Sequence, residues 1–160
     1  MRVAPLILAL SLSATGAMAA PPAYLDNRST PADVVSSLYN ALELHQYARA
    51  WSYFSESYQK GQYDDFVHGY ASTSDVRVHI GKAQSEGAAG SIYTTVPVTV
   101  DSTLDNGKTQ HFAGCYLVRQ VEPGIQEPPF QPIQIENGHL VKRAHAGDMP
   151  SCSDDAKPSF

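Results

Sequence analysis

The sequence of 160 residues is 42% hydrophobic and 17% charged, which suits one domain with a sizeable core. Its formal net charge is −5, and its Lys and Arg residues form no basic cluster. Binding to nucleic acid or to an anionic membrane surface depends on clustered positive charge, so the composition argues against both functions.

The first 19 residues are predicted to be a cleavable export signal. Arg2 gives a short positive region, residues 6–12 form an apolar run, and Ala17-Met18-Ala19 fits the small-x-small rule for cleavage before Ala20. The apolar run is too short to span a bilayer, and no cysteine follows the cleavage site, so we expect no membrane anchor. This interpretation makes the protein secreted or periplasmic. The alternative is a buried helix at the N-terminus.

The stretch from Thr30 to Tyr70 is predicted to form three helices. Thr30 is a good N-cap, Pro31 falls at the first helical position, and Asp33 completes the aspartate version of a capping box. Three apolar faces follow at helical spacing. They contain Val34, Val35, Leu38, Tyr39, Ala41 and Leu42; then Tyr47, Ala50, Trp51 and Phe54; then Tyr63, Phe66, Val67 and Tyr70. Helices this short need tertiary packing, so their aromatic residues must pack on the rest of the chain.

After Tyr70 the apolar pattern alternates with a period of two, which predicts an antiparallel sheet. The predicted strands are residues 76–80, 92–100, 110–121 and 140–145, with a short apolar lead at 133–135. Turns are predicted at residues 85–87, 105–107 and 137–138, and a stiff proline-rich loop at 122–132. Pro97 predicts a bulge or a locally exposed edge, and Gly114 predicts a bend.

The two cysteines, Cys115 and Cys152, are predicted to form one disulfide, because an exported chain with an even count usually pairs its thiols. Metal binding is the weaker interpretation, since the spacing matches no zinc pattern. A free buried thiol pair is the remaining alternative. A disulfide would pin the polar tail from Gly147 onward, which would otherwise fray.

The segment VVSSLYNALELHQYARAWSYFSESY joins an apolar helix, a short polar joint and a Tyr/Ala/Trp/Phe helix. It resembles the first-helix signature of the NTF2-like superfamily, also called the cystatin-like or ketosteroid-isomerase-like cone, which includes small secreted bacterial proteins of unassigned function. The resemblance implies an α+β fold with three N-terminal helices packed on a strongly curved antiparallel β-sheet. The expected organisation is a signal at 1–19, a flexible arm at 20–29, one domain at 30–146 and a disulfide-tethered tail at 147–160.

The resemblance also implies a conical pocket between the helices and the sheet. Its candidate ligand-binding residues are Tyr39, Trp51, Phe66, Tyr70, Phe112 and Tyr116. Helical spacing directs Tyr39 at the sheet, and strand parity directs Tyr116 at the helices and Cys115 outward, so Tyr39 and Tyr116 are predicted to face each other across this cone. Aromatic residues at helical spacing more often fill a core, so a closed cone is the alternative.

No catalytic residue, metal site or cofactor is predicted. The six histidines lack short ligand spacings, and no G-x-S-x-G or phosphate-binding glycine loop occurs. An isomerase-like site needs a carboxylate base in an apolar cleft, but Asp64 and Asp65 are expected on the solvent face and Asp75 in a turn. The predicted function is therefore a non-catalytic module that binds a small apolar ligand or a protein partner. A small pocket enzyme of the isomerase or dehydratase type is the alternative.

The third predicted strand carries apolar residues on both faces, with Ala113, Cys115 and Leu117 pointing away from the helices. A sheet that is wet on one side would place polar residues there. The outer face is therefore expected to meet a second copy of the chain, as a homodimer, with the pinned tail as the competing explanation.

Overall fold

The computed structural model describes residues 22–59 and 63–160, so the predicted export signal lies outside the described residues. The predicted α+β class is confirmed, since helices precede a large antiparallel sheet. The helices are α1 (Pro31–Glu43), α2 (Tyr47–Trp51) and α3 (Tyr63–Tyr70). The strands are β1 (Thr73–Ile80), β2 (Gln84–Ala88), β3 (Ser91–Leu104), β4 (Thr109–Val121), β5 (Ile133–Arg143), β6 (Ser151–Cys152) and β7 (Pro158–Ser159). No helix among these residues is long and apolar enough to cross a membrane.

Helix α1 begins as its sequence predicts. The backbone N–H of Asp33 donates to Thr30 Oγ1 at 3.2 Å, and the Thr30 hydroxyl donates to the Asp33 carboxylate at 2.7 Å. The apolar side of α1 is buried against the sheet, and this contact forms the core. Its central members are Val34, Val35, Leu38, Val76, Val96, Val98, Val118 and Ile135. The helix ends before His45, whose φ of 53° redirects the chain into α2.

The main sheet has the strand order β1-β3-β4-β5, and β2 pairs with β3 beyond the end of β1. Pro97 on β3 lies opposite the break between β1 and β2, so its missing N–H interrupts no ladder, and the predicted local edge is confirmed. Gly114 on β4 allows close backbone approach, because a Cβ there would overlap the carbonyl oxygen of His139 on β5.

Two predicted turns are wrong. Residues 85–87 belong to β2, and the hairpin turns instead at Ala89 and Gly90, whose φ values are 47° and 74°. Residues 137–138 lie inside β5, where the pairing to β4 shifts and leaves Glu136 as an extra residue. Asn137-Gly138, although typical of a turn, lies beside a bulge in β5, and Gly138 leaves room there for the ring of Tyr116.

The sequence predicts a flexible arm at 20–29, and the described part of it, residues 22–29, makes hydrogen bonds with the domain. The N–H of Leu25 donates to Asn40 Oδ1, and the N–H of Asn27 donates to Ser37 Oγ, each at 2.8 Å. The Tyr53 hydroxyl donates to Asp26 at 2.8 Å. The backbone of this segment thus finds partners on the outside of α1, and simple composition does not reveal them.

The predicted disulfide between Cys115 and Cys152 is confirmed, with the two Cα atoms 5.9 Å apart. It fixes the tail, whose β6 and β7 form a small hairpin, against the outer face of the main sheet. Ala113 and Cys115 are buried there within a single chain. The tail therefore accounts for the apolar outer face of β4.

Candidate functional site

A cavity of about 420 Å³ lies between the helices and the inner face of the sheet, and we call it the cone cavity. Five of the six predicted pocket residues line it: Tyr39, Phe66, Tyr70, Phe112 and Tyr116. Helix α1 contributes Tyr39, α3 contributes Phe66 and Tyr70, and the inner face of β4 contributes Phe112 and Tyr116. The volume lies in the range of small-molecule pockets.

Trp51 does not line the cone cavity, which corrects its predicted place at the pocket mouth. Its ring packs behind the cavity wall, with centroids 5.1 Å from Phe66 and 5.9 Å from Phe54. Tyr58 and Tyr63 complete this aromatic cluster around Trp51. The short α2 turns Trp51 toward α3 instead of toward the sheet, so the residue supports the wall.

The hydroxyls of Tyr39 and Tyr116 form a hydrogen bond of 2.8 Å, which confirms that the two residues face each other. Their rings meet edge to face, with centroids 6.3 Å apart. Burial is the main reason why the pKa of each hydroxyl lies well above its usual value. Both phenols are therefore neutral at physiological pH, and one hydroxyl proton of the pair is left to donate elsewhere.

Two further tyrosines, Tyr58 and Tyr70, line the same cavity, and we call these four residues the tyrosine cluster. Burial raises the pKa of Tyr70 to about 12 and also raises the pKa of Tyr58. Within the part of the chain that the structure describes, neither hydroxyl has a hydrogen-bond partner, and no fully buried side-chain polar atom is left unpaired. Both hydroxyls are therefore accessible to water, and both residues line the cone cavity.

Gly138 on β5 shapes the floor of the cavity next to Tyr116. A Cβ at this position would lie 2.7 Å from Tyr116 Cε1 and 2.8 Å from Cδ1. The absence of a side chain thus lets the ring lie against β5 and reach the Tyr39 hydroxyl. The sequence gives no signal for this role, because Asn-Gly is typical of a turn.

The cavity contains polar residues that the sequence did not single out. Ser102 and Gln110 are opposite each other on β3 and β4, and Thr73 begins β1. The inward direction of Ser102 was predictable, because Ser102 has the same strand parity as Val98 and Val100. Apolar walls come from Phe54, Val76, Val100, Leu104 and Leu140.

Asp65 is exposed, as the sequence predicts, and it also lines the mouth of the cavity. The neighbouring Asp64 does not line it. Asp75 lies away from the cavity beside Arg77, with an oxygen to Nε distance of 3.2 Å. Burial, followed by the charge of Asp75, raises the pKa of Glu43 at the end of α1.

Other hollows of the described chain have similar or larger volumes, and one of about 430 Å³ lies beside the proline-rich loop, lined mostly by polar residues. A surface hollow of about 630 Å³ lies between the end of β5 and the tail, but its lining residues are mostly exposed. His111 and Asp101 form a 2.6 Å pair on the outer face of the sheet. Among residues 22–59 and 63–160, no group of three His, Cys, Asp or Glu side chains is arranged to hold a metal ion.

No protein-family model matches the sequence, and no curated protein matches it either. In fold, the chain is similar to the beta subunit of a proposed aromatic-ring-hydroxylating dioxygenase from Novosphingobium aromaticivorans DSM 12444. The two share 15% sequence identity over 80% of this chain and 94% of that chain, with a TM-score of 0.48. At this identity and score, we take no function from the similarity.

Proposed function

We propose that the chain is an exported, non-catalytic module that binds a small, largely apolar ligand in the cone cavity. One observation carries the proposal: four neutral tyrosines line a largely apolar cavity, and the hydroxyls of Tyr58 and Tyr70 have no protein partner among the described residues. Water in the cavity can bond to these hydroxyls, and a ligand that accepts their hydrogen bonds would take its place while burying its apolar body. The same site leaves less reason to expect a protein partner, because its donors lie inside a cavity.

The ligand expected here has an apolar body and a hydrogen-bonding group that reaches the tyrosine cluster. The ring walls of Phe54, Phe66 and Phe112 would cover the apolar body. Pockets of this kind combine mostly apolar walls with a few directed polar groups. Phenylbutanol has such a body and one hydroxyl, so it serves as a neutral probe.

Isothermal titration calorimetry with phenylbutanol tests this proposal on the wild-type protein and on Gly69→Phe. Gly69 lines the cavity, and a Cβ there would meet no atom within 4 Å, so the new ring has room to occupy the mouth. We expect saturable binding by the wild type and at least tenfold weaker binding by Gly69→Phe. His68→Phe is the matched control, because His68 is the adjacent exposed residue of α3 and does not line the cavity. Equal binding by all three proteins would contradict the proposed site.

Catalysis by a small pocket enzyme is the second candidate, and Asp65 is the observation that favours it. A carboxylate in the same cavity as phenolic donors is the pair that proton abstraction beside a carbonyl requires. Asp65 is nevertheless exposed to solvent, which does not provide the apolar cleft expected for such a base. Deuterium uptake by cyclohexanone, measured by NMR with wild type and Asp65→Asn, distinguishes the two. We expect no difference between them, whereas uptake that depends on Asp65 would establish the enzyme.

Export is supported by the disulfide, which belongs to an oxidising compartment, and by the signal pattern in the sequence. N-terminal sequencing of the exported protein should begin at Ala20, and an intact Met1 would refute the proposal.

Homodimerisation through the outer sheet face has less support, since the tail buries Ala113 and Cys115. Light scattering should therefore give the mass of a monomer, and the mass of a stable dimer would support homodimerisation instead.

A further inference from the structure

The charge at the mouth of the cone cavity comes from Asp65. Among the described residues that line the cavity, this carboxylate is the charged side chain, and no Lys or Arg accompanies it. The sequence as a whole also has a net charge of −5. The field at the mouth is therefore negative, and it favours an approaching cation over an anion.

The space beside Asp65 is open. Gly69 follows Asp65 by four residues, so both lie on the same face of α3, one turn apart. Both line the cavity, and Gly69 has no side chain to cover the carboxylate. The arrangement leaves room for a ligand group of ammonium size next to the Asp65 oxygens.

Inside the mouth, the walls suit a cation better than an anion. Burial keeps the hydroxyls of the tyrosine cluster protonated, with a pKa of about 12 for Tyr70, and no positive group of the described lining would balance an anion. An unpaired anion in such a cavity bears a large desolvation cost. The faces of aromatic rings, in contrast, attract ammonium groups.

We propose that the cone cavity selects amines: an ammonium group binds at Asp65 in the space left by Gly69, and an apolar body enters the cone. This inference rests on the proposed function and specifies its ligand class. An exposed ion pair with Asp65 adds modestly to the affinity for an amine, and contact of the ammonium group with an aromatic ring of the cavity adds further affinity. The expected preference for an amine over an equally large neutral molecule is therefore about three- to tenfold.

A matched series of phenylbutylamine, phenylbutanol and phenylbutyrate tests the proposal, since the three differ mainly in the charge of the end group. Calorimetry at neutral pH and low salt should give the tightest binding for the amine and the weakest for the carboxylate. Asp65→Asn should abolish the preference for the amine over the alcohol. Asp64→Asn removes the same charge one residue away, outside the cavity lining, and should keep the preference.

The possible outcomes separate this inference from the proposed function. If the wild type binds amine and alcohol equally, the amine site is refuted while ligand binding in the cone stands. If Asp64→Asn and Asp65→Asn weaken amine binding to the same extent, a general field acts and the site at Asp65 is refuted. If none of the three probes binds to the wild type, the proposed function itself is refuted.

Discussion

The hydrogen bond between Tyr39 and Tyr116 allows a sharp test of the cavity by a double-mutant cycle. Replacing either tyrosine by phenylalanine removes one hydroxyl and leaves the other, buried, without its 2.8 Å partner. Each single change should lower the free energy of unfolding by about 1–2 kcal/mol, because the remaining hydroxyl keeps its desolvation cost. The double variant removes both hydroxyls, so it should cost about as much as one single change. The interaction energy should therefore be about 1 kcal/mol or more.

Urea denaturation, followed by circular dichroism, measures all four free energies of unfolding. Tyr93→Phe provides the control, because the Tyr93 hydroxyl makes no hydrogen bond among the described residues and the residue lies outside the cone cavity. Its free energy should change by less than about 0.5 kcal/mol. Strictly additive effects of Tyr39→Phe and Tyr116→Phe would contradict the coupling that the structure implies.

Three further predictions concern the floor of the cavity, the tail and pH. Gly138→Ala should lower the free energy of unfolding by about 1–3 kcal/mol, because the new methyl group overlaps the Tyr116 ring. Gly124→Ala is the control, because its methyl group meets no atom within 4 Å and should change the free energy of unfolding little in the same urea assay. Equal effects of the two substitutions would refute the close contact. Replacing Cys115 and Cys152 together by alanine should lower the free energy of unfolding by about 4 kcal/mol, as the chain-entropy model gives for a separation of 37 residues. Calorimetry measures this change. A free energy of unfolding close to that of the wild type would show that the tail hairpin stays in place without the disulfide. The pKa of Tyr70 in the folded protein is about 12, above the usual 10, so the contribution of Tyr70 to stability should be complete below pH 10 and decline as the pH rises through 12. Ultraviolet titration of wild type and Tyr70→Phe identifies the ionisation of Tyr70 by difference. Ionisation of Tyr70 near pH 10 would contradict the raised pKa.

The sequence predicts the elements that carry strong local signals. The Thr30 cap, the stripe that aims Tyr39 at the sheet and the parity that separates Tyr116 from Cys115 all depend on residues close together in the chain. The same parity extended along β3 would also have found Ser102. These features follow from helical and strand periodicity, which acts within a few residues.

The residues that the sequence missed depend on contacts between distant segments. Gly138 looks like a turn residue until the ring of Tyr116 is placed against it. Trp51 shares helical spacing with pocket residues, but its ring packs behind Phe66. Asp65 lies at the edge of a helical stripe, where a shift of one residue decides whether a side chain lines a cavity or only faces solvent.

A crystal structure of the protein with phenylbutanol at saturating concentration tests the central claim most directly. We expect density for the probe inside the cone cavity, with its oxygen about 2.7–2.8 Å from a hydroxyl of the tyrosine cluster. Density for the probe in the hollow beside the tail, with the cone filled only by protein side chains or water, would contradict it.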